Sequence, residues 1–158
     1  MPTKNFFFSS SNFTLNITTF YARCEIKMAV LNGIVKTKNL YNLVPQLSKN
    51  LPTIFNSNCI NKNGFSFRHE VENTQVGHLF EHMVLEYLCQ IKVKNGYQDA
   101  LYAGMTSWNW KSGAKSIFNI NLNVGFLEMD YLLYSIKSAG RLMDKIFYAQ
   151  SSWPYLLG

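Results

Sequence analysis

Two histidines and a glutamate stand within five consecutive positions, His78-Leu79-Phe80-Glu81-His82. On a helix at about 100° per residue, His82 lies about 40° around the axis from His78, and Glu81 about 60° to the other side, so all three share one sector. Imidazoles one turn apart can share a zinc ion, and a carboxylate beside them can take a proton from water without itself being a ligand. The order H-x-x-E-H is the inverse of the zinc-peptidase helix motif. A histidine-rich helix facing solvent or a partner would show the same five letters, but here the triplet interrupts an otherwise apolar stripe. Semi-buried imidazole and carboxylate groups are costly without partners, and a zinc ion would satisfy all three.

A catalytic zinc needs a third protein ligand and one open position. Glu86 is the nearest carboxylate, yet it lies about 12 Å along the helix axis from His78, which suits a group that orients His82, or a solvated residue, better than a shared ligand. Glu128, where a strand passes into the last helix, is the expected third ligand, with His69, Glu70 and Glu72 as alternatives if the preceding segment folds back. Cys24, Cys59 and Cys89 are odd in number and widely spaced, which argues against a disulfide framework and against a cysteine-based zinc cage. They read as reduced, packed thiols of a cytoplasmic protein. Trp108 offers a surface that could stack on a substrate, and Thr106 and Asn121 complete the candidate substrate contacts.

The elements that must hold these residues are legible from periodicity. Phe13, Leu15, Ile17, Thr19 and Tyr21 alternate as in a half-buried strand, and a second strand is expected over 25–31. Pro45 opens a helical pattern through Leu47, Leu51, Ile54 and Phe55 that Pro52 should break, and the Asn- and Ser-rich stretch 56–64 reads as a loop. Asn73 or Thr74 is placed to cap a helix reaching about Ile91, on which Leu79, Phe80, Met83, Val84, Tyr87, Leu88 and Ile91 form a broad apolar stripe. A strand is expected over 116–124, where Phe118, Ile120 and Leu122 alternate with Asn119, Asn121 and Asn123. A final helix starting near Leu127 carries Leu132, Ile136, Gly140, Met143 and Phe147. Strands and helices do not alternate regularly, so the expected class is α+β, one domain with a small, mostly antiparallel sheet packed on about three helices.

With 158 residues, 47% hydrophobic and 15% charged, the chain can bury a substantial core as one domain, which leaves no room for a second catalytic module. Its net charge of +6 comes from 12 Lys and 3 Arg spread without a polybasic tract, so nucleic acid and anionic membranes are not indicated as partners. The longest apolar runs are four residues, Met28–Leu31 and Tyr131–Tyr134 among them, far short of a membrane span or a signal-peptide core.

The string Thr74-x-x-Gly77-His78-x-x-Glu81-His82-x-x-Leu85-Glu86 resembles the N-terminal domain of cyanophycin synthetases, whose helix carries a similar G-H-x-x-E-H-x-A-L-E run. The likeness extends to Gly104-Met105-Thr106, similar to that family's G-R-T turn, and to the strand and helix that follow. Met105 stands where the family has Arg, and Asn119, Asn121 and Asn123 occupy the strand that carries a Glu in the family. The ATP-grasp and Mur-ligase-like domains that follow in the family are not in this sequence. The resemblance implies polymer binding and, as in some members, a zinc-peptidase-like site in which His78, Glu81 and His82 take the corresponding roles. The expected function is therefore a zinc-dependent hydrolase of a peptide or isopeptide-like amide bond, with a cyanophycin-like polymer as one such substrate. The alternative is a non-catalytic domain that binds such a polymer or a partner ligase; a homo-oligomer fits either reading.

Overall fold

Residues 3–59, 65–97, 103–108, 116–125 and 129–151 are described in a computed structural model of the chain. Period-two patterning builds the sheet. Three strands, β1 (Lys4–Ser9), β2 (Phe13–Phe20) and β3 (Arg23–Val30), form consecutive antiparallel hairpins. Two later strands, β4 (Ala103–Trp108) and β5 (Ile117–Asn123), join them in the order β1-β2-β3-β5-β4, every pairing antiparallel. The register sets Leu15 against Met28 and Met28 against Phe118, so one face of the sheet is a continuous apolar surface. The other face carries exposed Asn16, Glu25, Lys27, Asn119, Asn121 and Asn123.

The helices are α1 (Leu43–Asn50), the single turn α2 (Phe67–Glu70), α3 (Val76–Lys94) and α4 (Met129–Ser151). Helix α3 sends Leu79, Phe80, Met83, Val84 and Leu88 into the core, and α4, packed along it, adds Ile136, Ala139, Met143 and Ile146. Each of these side chains larger than Ala139 contributes about 1.5–3 kcal/mol on burial, so the apolar faces dictate which way both helices turn. The architecture is α+β, as the sequence predicts. Among the described residues no helix is long and apolar enough to cross a membrane.

Two local devices fix α3 over the sheet. A Cβ added at Gly77 would lie 2.3 Å from Phe118 Cγ, so only glycine lets the helix start come this close to β5. The segment before it is tied down by Thr37 N–H donating to Thr74 O and by Thr74 N–H donating to Thr37 Oγ1, both at 2.8 Å. Neither Asn73 nor Thr74 caps α3, contrary to the sequence expectation; Gln75 occupies the cap position without a side-chain bond. The hydroxyl of Thr74 is used elsewhere. As expected, α1 stops before Pro52, and a 3-10 turn over Pro52–Asn56 buries Ile54 and Phe55. Strands β1 and β4 were not expected: Phe6-Phe7-Phe8 has no alternation, and Gly104 and Ser107 are poor strand formers.

Candidate metal centre

The i, i+4 spacing on α3 brings the His78 and His82 rings to 4.8 Å between centroids, with their Nε2 atoms 3.1 Å apart. The backbone after the 3-10 turn passes this point and delivers Ser57 and Cys59. Cys59 Sγ lies 3.4 Å from His78 Nε2, and the donor atoms of Cys59, His78 and His82 all fall within 4.8 Å of one another. These three residues form a group that could hold a metal ion.

The hydrogen bonds behind the rings determine what the nitrogens in front can do. Ser57 Oγ donates to Ile54 O at 2.5 Å, which uses its only proton, so at 3.0 Å from His82 Nδ1 it accepts. His82 therefore carries its proton on Nδ1 and presents a bare lone pair at Nε2. On the other ring, Thr74 Oγ1 lies 2.9 Å from His78 Nδ1. Phe67, itself fully buried, stacks on His82 at 3.8 Å and 12° and meets His78 edge-on at 5.9 Å, locking both ring planes. Burial, followed by the neighbouring His78, pushes the His82 pKa down to about 3, and burial lowers that of His78 as well. Both shifts favour the neutral imidazole, the protonation state in which it ligates metals. Two imidazoles aimed at one point beside a thiol, each backed by a hydroxyl, make a nitrogen and sulfur donor set that could hold a metal ion.

Glu81 is buried beside this cluster without joining it. Its Oε1 accepts a 2.8 Å bond from Thr106 Oγ1, and its Oε2 stands 3.9 Å from His82 Nε2. Desolvation raises its pKa to about 7, against the opposing pull of the Thr106 hydrogen bond. Gly104 leaves the space this side chain occupies: a Cβ there would lie 2.9 Å from Glu81 Cγ and 3.0 Å from a Leu122 methyl.

The fold brings together His78, Glu81, His82 and Thr106 among the residues singled out in the sequence, and adds Cys59, Ser57, Thr74 and Phe67. Glu128 lies outside the described residues, and Cys59 supplies the third donor among those described. The packing role expected of Cys59 gives way to a place in the cluster. Its signal was available: Cys24 falls on the buried alternation of β3 and Cys89 lies within α3, whereas Cys59 sits in a polar loop with no apolar period to explain it. Cys24 is fully buried and its thiol is pushed up to about 12 by burial and the charge of Glu25. The Glu86 carboxylate accepts a bond from Thr53, so its partner is a residue of the 3-10 turn and not His82. His69 is exposed, its ring against Phe65 at 4.1 Å. Asn121 is exposed on the polar face, opposite Met105, so the sheet stands between it and the cluster. Trp108 ends β4, and its side chain lies outside the described residues.

No family model, no curated protein and no solved structure matches the chain. The likeness of Thr74–Glu86 to cyanophycin synthetases accordingly gains no support from these comparisons.

Proposed function

We propose that the chain is a zinc-dependent hydrolase of a peptide or isopeptide-type amide bond. The observation that carries this reading is the convergence of Cys59 Sγ, His78 Nε2 and His82 Nε2, with a buried carboxylate, Glu81, held beside them by a different partner. Three protein donors leave a tetrahedral ion one open position, the condition that separates a catalytic zinc from a closed structural one. Zinc held there by Cys59, His78 and His82 would supply Lewis acidity to the amide carbonyl and to water. Thr106 anchors Glu81 through Oε1 and leaves Oε2 turned towards the histidines. Glu81 takes one proton from water as the oxygen bonds to the carbonyl carbon, and returns it to the amide nitrogen as the C–N bond breaks. The products are a carboxylic acid and an amine, with water fully accounted for. The resemblance of the Thr74–Glu86 run supports a polyamide of the cyanophycin kind as one candidate substrate.

Glu81→Gln tests this directly. It should retain zinc and lower hydrolysis of casein peptides or of an isopeptide-linked polymer by about 10² to 10⁴-fold, the usual contribution of a positioned base. Undiminished turnover in the variant would remove Glu81 from the reaction. A wild type that holds zinc and binds a polymer without cleaving it would favour the non-catalytic binding domain.

The 3.4 Å contact between Cys59 and His78 favours a second reading, a thiol nucleophile beside its base. Chelation separates the two. Activity that survives metal removal and disappears on alkylation of Cys59 belongs to the thiol; activity lost to a chelator and restored by zinc belongs to the metal.

A further inference from the structure

Among the described residues strand β4 is an edge of the sheet, and the pairing of its neighbours fixes its hydrogen-bonding direction. Val30 N–H donates to Ser116 O and Val124 N–H donates to Ala22 O, so the even-numbered residues of β5 turn their backbone groups towards β3. The odd-numbered residues of β5 must then face β4, where the register pairs Asn119 with Ser107, Asn121 with Met105 and Asn123 with Ala103. In an antiparallel ladder the intervening residues point the other way. Gly104 and Thr106 therefore direct N–H and C=O away from the sheet, and no backbone partner meets them there among the described residues.

The same two residues touch Glu81 on their side-chain side: Thr106 through its 2.8 Å hydrogen bond, Gly104 through the space its missing Cβ leaves. The residues whose backbone groups face outward along the edge are thus the same two that touch the Glu81 side chain. On α3, His78 and His82 follow Glu81 around the helix by about 60° and 100°, on one flank of it. Natural edge strands are commonly blunted by charge or proline, because an open edge pairs with any extended chain. Strand β4, Ala-Gly-Met-Thr-Ser-Trp, has neither, whereas the opposite edge β1 begins at Lys4.

We infer that the edge of β4 is a rail for the substrate backbone: an extended polyamide chain pairs with Gly104 and Thr106 as a sixth strand and so lays its amide carbonyls beside Glu81. The inference rests on the hydrolase reading for what happens next, but the pairing itself can be observed without turnover. Recognition in this mode comes from main-chain hydrogen bonds, with side-chain preferences set only at alternate positions. The substrate class is then a polymer that can extend and present repeating amide N–H and C=O groups, not a compact amide or a folded protein surface.

Amide hydrogen exchange followed by NMR on zinc-loaded Glu81→Gln, with and without an excess of unfolded, reduced casein peptides, tests the pairing. Gly104 and Thr106 should exchange fast in the free protein and slow about tenfold at ninety per cent occupancy, because only the unbound fraction then exchanges. Ala103, Met105 and Ser107, already bonded to β5, should change little. Polysarcosine, which has no donor for the Gly104 and Thr106 carbonyls and whose N-methyl groups would clash with a paired strand, should give no protection. Bound peptide that leaves Gly104 and Thr106 at their free rates overturns the inference, as does failure of unfolded peptides to bind. Protection that grows with protein concentration alone would assign the edge to a second copy of the chain and likewise overturn it. Wild-type cleavage is scored separately: protection without cleavage refutes the hydrolase and keeps the rail, and cleavage without protection does the reverse.

Discussion

Ser57 makes no contact with the proposed ion, yet its removal should weaken metal binding by a predictable amount. Its hydroxyl proton goes to Ile54 O, so the oxygen accepts from His82 Nδ1 and keeps the lone pair on Nε2. In Ser57→Ala the Nδ1 proton loses that partner and the ring is released to place the proton on Nε2, where it blocks ligation. Loss of such an outer partner typically weakens metal affinity about 10 to 100-fold, or about 1.4 to 2.7 kcal/mol. The effect can be read as heat stability. At free zinc one hundred times its Kd, wild type should gain about 2.7 kcal/mol, which for a chain of this length raises Tm by about 5–11 °C. At the same free zinc, Ser57→Ala should gain only about 0.4 to 1.4 kcal/mol, so its zinc-induced shift falls to about half of wild type or less. Chelator competition gives the affinities independently, and Ser57→Thr, which keeps the hydroxyl, should bind close to wild type. A Ser57→Ala affinity within about twofold of wild type would refute the argument that this hydroxyl sets the tautomer.

Gly104→Ala should place a methyl 2.9 Å from Glu81 Cγ and displace the carboxylate, lowering turnover while leaving zinc content unchanged; loss of zinc together with activity would mean that the glycine serves the fold as a whole. Gly77→Ala should be the more damaging change to the fold, because its Cβ would meet Phe118 at 2.3 Å, and a destabilisation of about 1–3 kcal/mol or more is expected in urea unfolding. Zinc should protect Cys59 from alkylation, and chelation should expose it, while Cys24, buried with its thiol pushed up to about 12, stays unmodified in the folded protein in both states; mass spectrometry of the labelled peptides decides. Glu86→Gln should leave zinc affinity close to wild type, since its carboxylate is engaged by Thr53; a large loss would restore Glu86 to the metal.

What the sequence reveals about this molecule depends on how local each signal is. The α3 stripe and the alternation of β2, β3 and β5 follow from repeating contacts with one core, so period alone identifies them. His78, Glu81 and His82 are similarly visible because one helix carries all three. Cys59 precedes His78 by 19 residues and reaches it only because α1, the 3-10 turn and the loop after it fold back against α3, a relation no spacing rule encodes. Thr74 illustrates the opposite error: its position suits a helix cap, but the bonds with Thr37 fix the backbone and release its hydroxyl for His78. Strand β4 is hidden for a third reason. Glycine at 104 lowers strand propensity, and it is there because Glu81 fills the space a side chain would need. Asn121, a candidate substrate contact in the sequence, falls on the polar period of β5, and the register places it on the face away from the cluster.

Cys59, His78 and His82 are proposed to bind one zinc ion together. X-ray absorption at the zinc edge of the zinc-loaded full chain tests this most directly. The structure predicts a four-coordinate first shell with one sulfur at about 2.3 Å and two imidazole nitrogens at about 2.0–2.1 Å, the remainder being oxygen. In Cys59→Ser the sulfur should vanish. A shell without sulfur in the unaltered protein, or a sulfur that persists in Cys59→Ser, would contradict a metal centre formed by Cys59, His78 and His82.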